Sequence, residues 1–213
     1  MSSKAVSLWL PQVIIESILI VVSILVALGL DAWRETREDE EFVRTALANF
    51  AIEVKQNQAR IDDAVPFNLG LLIVLARHYD ADDIASVDEF VNMVESYSPA
   101  ELQSAAWGTA LATGSLAKMD YNLVMALSMT YSLQERYDLT TRSGVSELTN
   151  PQYLSEDKLR LATYNLIRFL DGVTSMEAEL AVTYVEAARV IESAVGKLDA
   201  GDSTASPTDL AHP

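Results

Sequence analysis

The chain has 213 residues, half of them hydrophobic, which suits one domain with a sizeable core plus a membrane anchor. A formal net charge of −16 repels phosphate backbones and anionic lipid heads, so nucleic acid is disfavoured as a partner. There is no cysteine and there are two histidines, His78 and His212, which removes disulfides, thiolate chemistry and a His-rich metal centre.

Residues 1–5 read as a short tail, and residues 6–33 as a transmembrane helix. From Val6 to Leu30 there is one acidic residue and no basic one, over a length that exceeds the roughly 20 residues a helix needs to cross the hydrocarbon core. A cleaved signal peptide would want a basic leader, a shorter apolar core and a small-x-small cleavage site. Here Lys4 stands alone and the run continues into Asp31-Ala32-Trp33-Arg34-Glu35, so a retained anchor is expected. Trp9 and Trp33 bracket the run at about 36 Å along a helix, a spacing that rests both indoles in the interfaces of the lipid bilayer.

On a helical wheel Gln12, Glu16, Ser23, Ala27 and Asp31 fall within one arc. Leu19 and Ile20 fill the gap, and the other faces are Val, Ile and Leu. Ser23 and Ala27 form a small-xxx-small pair that lets another helix approach closely. An ionisable group in a span normally faces protein or water. The seam is therefore read as the contact with another transmembrane helix, from a second copy or from a larger complex. The alternative has Glu16 snorkelling or protonated near one end; a proton relay would need a second ionisable group at depth. Lys and Arg counts on the two flanks, with Arg34, Arg37 and Arg44 after the span, put the following domain in the cytoplasm; a translocated domain is the alternative.

Residues 34–198 read as a soluble helical bundle. Phe42, Val43, Ala46, Leu47, Phe50, Val54 and Ile61 recur mainly at threes and fours, in a helix that should follow the span with little interruption. Pro66 is expected to break or kink it, with "FNLGLLIVLARHY" as a buried helix beyond. Ser86-Val-Asp-Glu89 reads as a capping box opening a helix to about Tyr97, and Ser98-Pro-Ala-Glu101 as a second one with Pro99 at the first helical position. That second helix should stop at Gly114. Asp120 is placed to cap a helix running to about Tyr137, and "DLTTRSGVSELTNP" reads as turns.

The strongest periodicity comes last. Leu159, Ala162, Leu166, Leu170, Val173, Met176, Leu180, Tyr184, Ala187, Ile191, Ala194 and Leu198 step by threes and fours. Residues 199–213 read as a disordered tail. With no strand run and no internal repeat, the expected fold is all-α: an N-terminal transmembrane helix continuing into a bundle with two long antiparallel helices and shorter helices between.

Catalytic motifs are not found. "HYDADDIASVDE" is acidic, but an EF-hand loop counted from Asp80 would need Gly and Glu where Ala85 and Val91 stand. A phosphate-binding glycine loop and a G-x-S-x-G elbow are absent. No catalytic residue, metal ligand or cofactor site is assigned, and the chain is expected not to be an enzyme. Around Trp107 the sequence mixes small residues with aromatics. Close helix packing explains this, or else a small-molecule pocket lined by Trp107, Tyr121 and Tyr131.

"LGLDAWRETRE" and "AWGTALATGSLAKMDYNLVMALSMTYSLQE" resemble a group of uncharacterised bacterial single-pass membrane proteins with an N-terminal transmembrane helix and an acidic helical domain. Glu16, Trp33, Glu35 and Arg37 sit at places comparable to that group's early acid and Trp-x-Glu-x-x-Arg-like exit, with a slightly different exit spacing. The resemblance implies a bacterial membrane protein and no particular activity; the expected location is the bacterial inner membrane. The sequence thus leads to a non-enzymatic accessory or scaffolding subunit, with a membrane-anchored ligand sensor near Trp107 as the alternative.

Overall fold

The structure is a computed structural model that describes residues 6–81, 83, 86–148, 150 and 154–204, with the backbone alone at 6–13 and 202–204. The tail 1–5, the side chains of Trp9 and Gln12, and residues 205–213 lie outside what it describes. All regular structure among the described residues is helical: α1 (Val6–Asp80), α2 (Val87–Ser96), α3 (Ala105–Thr113), α4 (Tyr121–Leu148) and α5 (Leu159–Thr204), with 3-10 turns at Ser115–Lys118 and Glu156–Lys158. The chain divides into two units, residues 1–43 and 44–213.

In the first unit every described side chain from Ile14 to Thr36 is exposed. The most apolar window of the helix has a mean hydropathy of 2.4 and none of it is buried. By length and composition this helix is able to cross a membrane, and a helix meets that need because it satisfies all of its backbone polar groups internally. Ser23 and Thr36 donate their hydroxyls to the carbonyls of Leu19 and Ala32, at 2.8 and 3.0 Å, so neither adds an unpaired group to the surface.

The second unit is built on three seams. On α1 the buried seam residues include Leu47, Phe50, Val54, Asn57, Ile61, Ala64, Asn68 and Leu75, with Glu53 buried beside them; on α4 they include Leu123, Leu127, Thr130, Gln134, Tyr137 and Thr141; on α5, Leu159, Thr163, Leu166, Leu170, Val173, Glu177, Leu180, Tyr184, Ala187 and Ile191. The α4 and α5 sets, and the α1 set as far as Asn68, advance in alternating steps of three and four, the 3.5-residue period that keeps a seam facing its neighbours in left-handed coiled-coil packing. Contacts give the chain directions. Arg44 meets Asp199, Asn68 meets Glu177 and Tyr79 meets Tyr164, so numbers on α5 fall as those on α1 rise. Glu53 pairs with Tyr131 and Asn57 with Gln134, so α1 and α4 ascend together. Arg136 pairs with Glu179 across α4 and α5.

Four local expectations change. Helix α1 does not break at Pro66 but runs on to Asp80. Pro66 and Asp62 are both exposed, so water can satisfy the Asp62 carbonyl that proline leaves without a donor, while Ala64, Asn68 and Leu75 hold the inner face. The "FNLGLLIVLARHY" segment is not a buried helix: Phe67, Leu69, Ile73 and Val74 are exposed. Helix α4 continues through the supposed turns to Leu148, because Thr141 extends its seam and Gly144 lies against the Phe169 ring, where a Cβ would overlap it. Finally, Pro99 does not open a helix. Residues 97–104 have no regular structure and α3 begins at Ala105. Three expected boundaries are found: the Ser86–Glu89 capping box, with both reciprocal bonds; Asp120 accepting from the Asn122 and Leu123 amides; and Gly114 ending α3 in the left-handed region at φ 74°.

Candidate functional site

The side chains of the seam expected on the apolar part of α1 are brought together in part. Glu16, Ser23 and Ala27 line a shallow groove of about 460 Å³ with Leu19, Ile20 and Ile24. Asp31 is exposed and is not among the lining residues. Trp33 is exposed with the Arg37 guanidinium 5.7 Å from its ring centre, an arrangement that suits a cation–π contact at a helix exit.

Trp107 and Tyr131 stack, with ring centroids 5.2 Å apart and planes 17° from parallel. Phe50 packs on both, at 6.4 and 6.0 Å. Tyr121, at the start of α4, is 73% exposed. A larger cavity, about 520 Å³, lies where α4 and α5 meet and is lined by Gly144, Leu148, Leu154, Leu161 and Phe169 among others. Neither this cavity nor the groove on α1 is lined by Trp107.

Sequence reasoning missed the most organised chemistry of the chain, a run of polar side chains through the core that holds the irregular segment 97–104 and the start of α3. Asn57 holds both backbone polar groups of Gln103: its Nδ2 donates to the Gln103 carbonyl at 2.7 Å and its Oδ1 accepts from the Gln103 amide at 2.9 Å. Gln134 Nε2 donates to the same carbonyl at 2.9 Å, and its Oε1 accepts from Asn57 and from the Tyr184 hydroxyl at 2.8 Å. Glu53 accepts the Ala106 amide at 2.9 Å and the Tyr131 hydroxyl at 2.7 Å. One of its oxygens thereby serves the N-terminus of α3, where free amides and the helix dipole favour an acid. Arg60 reaches the Glu101 carbonyl at 2.8 Å.

A second cluster lies further along. Asn68 Nδ2 donates to Glu177 Oε1 at 2.7 Å and to the Ser98 carbonyl at 3.3 Å. The Tyr137 hydroxyl donates to the same Glu177 oxygen at 3.0 Å and accepts the Ala100 amide at 2.9 Å. Ser98, Ala100, Glu101 and Gln103, in the segment between α2 and α3, thus bond through their backbone to side chains of α1 and α4, in place of a helix or sheet ladder. Burial raises the pKa of Tyr131, Tyr137, Tyr97 and Tyr184 well above the ordinary phenol value, with neighbouring acids adding to the shift. The four phenols therefore remain protonated.

The missed residues carry a recoverable signal. Steps of three or four through Leu170, Val173 and Leu180 admit either Met176 or Glu177 between the last two, and strict alternation favours Glu177. The hydrophobic choice, Met176, turns out to be half-buried, and the acid occupies the seam. Chemically the network orders backbone. Among the described residues no group of three His, Cys, Asp or Glu side chains is placed to hold a metal ion. No family model, curated protein or solved structure matches this chain.

Proposed function

We propose that this chain is a bacterial inner-membrane protein held by one transmembrane helix, and that it acts without catalysis as an accessory or scaffolding subunit. The observation that carries the reading is the exposed apolar helix from Ile14 to Leu30, with the groove at Glu16, Ser23 and Ala27 on one face. A second transmembrane helix, from another copy or from a larger membrane complex, would seat in that groove and bury the acid. The helical bundle of α1, α4 and α5, with its two long antiparallel helices, then supplies a rigid body on the cytoplasmic side, with a periplasmic body as the other topology. The ligand-sensor reading is supported less, because Trp107 is stacked on Tyr131 and packed on Phe50.

The test is purification from native membranes in mild detergent, for the wild type and for Glu16→Leu. A stoichiometric partner or a homo-oligomer is expected in the first and is expected to be weakened or lost in the second. A monomer from the wild type, or an assembly indifferent to Glu16→Leu, would overturn the proposal.

A further inference from the structure

Two acids are buried in the core, and they differ in their surroundings. Glu53 has a donor for each oxygen. Glu177 is fully buried, and both of its donors go to Oε1, while Oε2 has none. The amide that binds Glu177 is in a complementary state: Asn68 is fully buried, its nitrogen donates twice, and its Oδ1 has no donor. The Tyr97 hydroxyl lies beside that of Tyr137 without a well-formed hydrogen bond. Two buried acceptor oxygens on bonded partners therefore stand without a hydrogen. Each such vacancy costs roughly 1–3 kcal/mol, and more on a charged group.

Among the described residues no cation is recorded against Glu177. The described interactions of Glu177 come from Asn68 on α1, Tyr137 on α4 and Tyr97 in the connection before α3, none of them positively charged. Helix α2, which also packs on α5, carries Asp88, Glu89 and Glu95, all exposed. An ionised Glu177 would be an unpaired charge in the core, which proteins avoid by neutralising the group.

We infer that Glu177 holds a proton in the folded protein and pairs, as a carboxylic acid, with the Asn68 side-chain amide. A proton on Oε2 supplies a donor between the two orphan oxygens, which belong to side chains already bonded to each other. The acid donates O–H to Asn68 Oδ1 while Asn68 Nδ2 donates to Oε1, closing a two-bond ring. This proton site is coupled to segment 97–104, because Asn68 also holds the Ser98 carbonyl and Tyr137 also holds the Ala100 amide. Burial acts in the same direction, lifting the Glu177 pKa above the ordinary glutamate value.

The sign of the linkage follows. The folded-state pKa lies above the unfolded one, so the stabilisation is full below the unfolded value, about 4.3. It is lost as pH rises from there through the folded value.

The test compares thermal unfolding of the full chain in detergent, wild type against Glu177→Gln, between about pH 4 and pH 8. Glutamine copies the neutral acid, with an N–H where the proton sat. The two melting temperatures should be similar at the acid end, and the variant should gain on the wild type as pH rises. A difference that stays flat, or a variant less stable throughout, would mean a charged Glu177 served by a buried water or ion, and would overturn the inference. Infrared spectra of glutamate-labelled protein carrying Glu16→Gln, so that the membrane acid does not contribute, give a second readout. A protonated carboxyl band should be present at neutral pH and absent once Glu177→Gln is added. No such band at neutral pH would overturn the inference even if Glu177→Gln did not fold.

Discussion

At the residue scale, two glycines on long helices are expected to respond oppositely to the same substitution. Gly172 has open space where its Cβ would be, and it is exposed in the interior of α5. Gly172→Ala should stabilise by about 0.5–1 kcal/mol through the lost entropy of the unfolded chain and better helix propensity, read as a higher denaturant midpoint. Gly144→Ala has the same propensity gain, but its Cβ would overlap the Phe169 ring. That ring also meets Tyr97 edge-on at 5.4 Å, so displacing it disturbs a second contact. Overpacking of this kind costs about 1–3 kcal/mol, and Gly144→Ala should lower the midpoint. Phe169→Leu made in the Gly144→Ala background should recover part of the loss; additive losses would show that the ring is not the obstacle. In the sequence Gly144 stood inside "TTRSGVSEL" as a plausible turn residue. What makes it a contact residue is the ring opposite it, which is distant in the chain.

At the element scale, the segment between α2 and α3 is the part most dependent on side chains. Asn57 serves both the amide and the carbonyl of Gln103. Asn57→Ala leaves the Gln103 amide without its partner, while the Gln103 carbonyl keeps Gln134 and the Gln134 oxygen keeps Tyr184; an unsatisfied group costs up to roughly 1–3 kcal/mol where it is buried. Amide hydrogen exchange at Gln103 and its neighbours should quicken strongly, with α4 and α5 amides slowed or speeded far less. Equal acceleration everywhere would mean that Asn57 supports the whole bundle and not this segment. The helices themselves were legible: α5 and the residues 42–61 of α1 announced themselves by period, and Ser86, Gly114 and Asp120 by capping chemistry. Segment 97–104 was not, because Ser98-Pro-Ala-Glu101 has the local pattern of a helix start. Local propensity loses there to long-range bonds from Asn57, Arg60, Asn68 and Tyr137. Pro66 shows the same override, since the packing of Ala64, Asn68 and Leu75 carries α1 past it.

At the scale of the whole molecule, the formal net charge of −16 should make stability depend on salt. Self-repulsion among acids is screened as the Debye length falls to about 8 Å at physiological ionic strength, whereas pairs such as Arg189–Glu186 and Arg136–Glu179 lie exposed to solvent and contribute little. The melting temperature should therefore rise between very low and physiological salt; a fall would show that the ion pairs outweigh the repulsion. Composition and period alone were enough for an all-helical chain with an apolar N-terminal helix long enough to span a bilayer, because hydrophobic spacing is a local property that any backbone of that period expresses. They were also enough to group Glu16, Ser23 and Ala27 on one face. They could not reveal that Asn57, Asn68, Gln134 and Glu177 occupy seam positions. A polar residue at such a position is tolerated only when partners from other helices satisfy it, and those partners exist only once α1, α4 and α5 have come together.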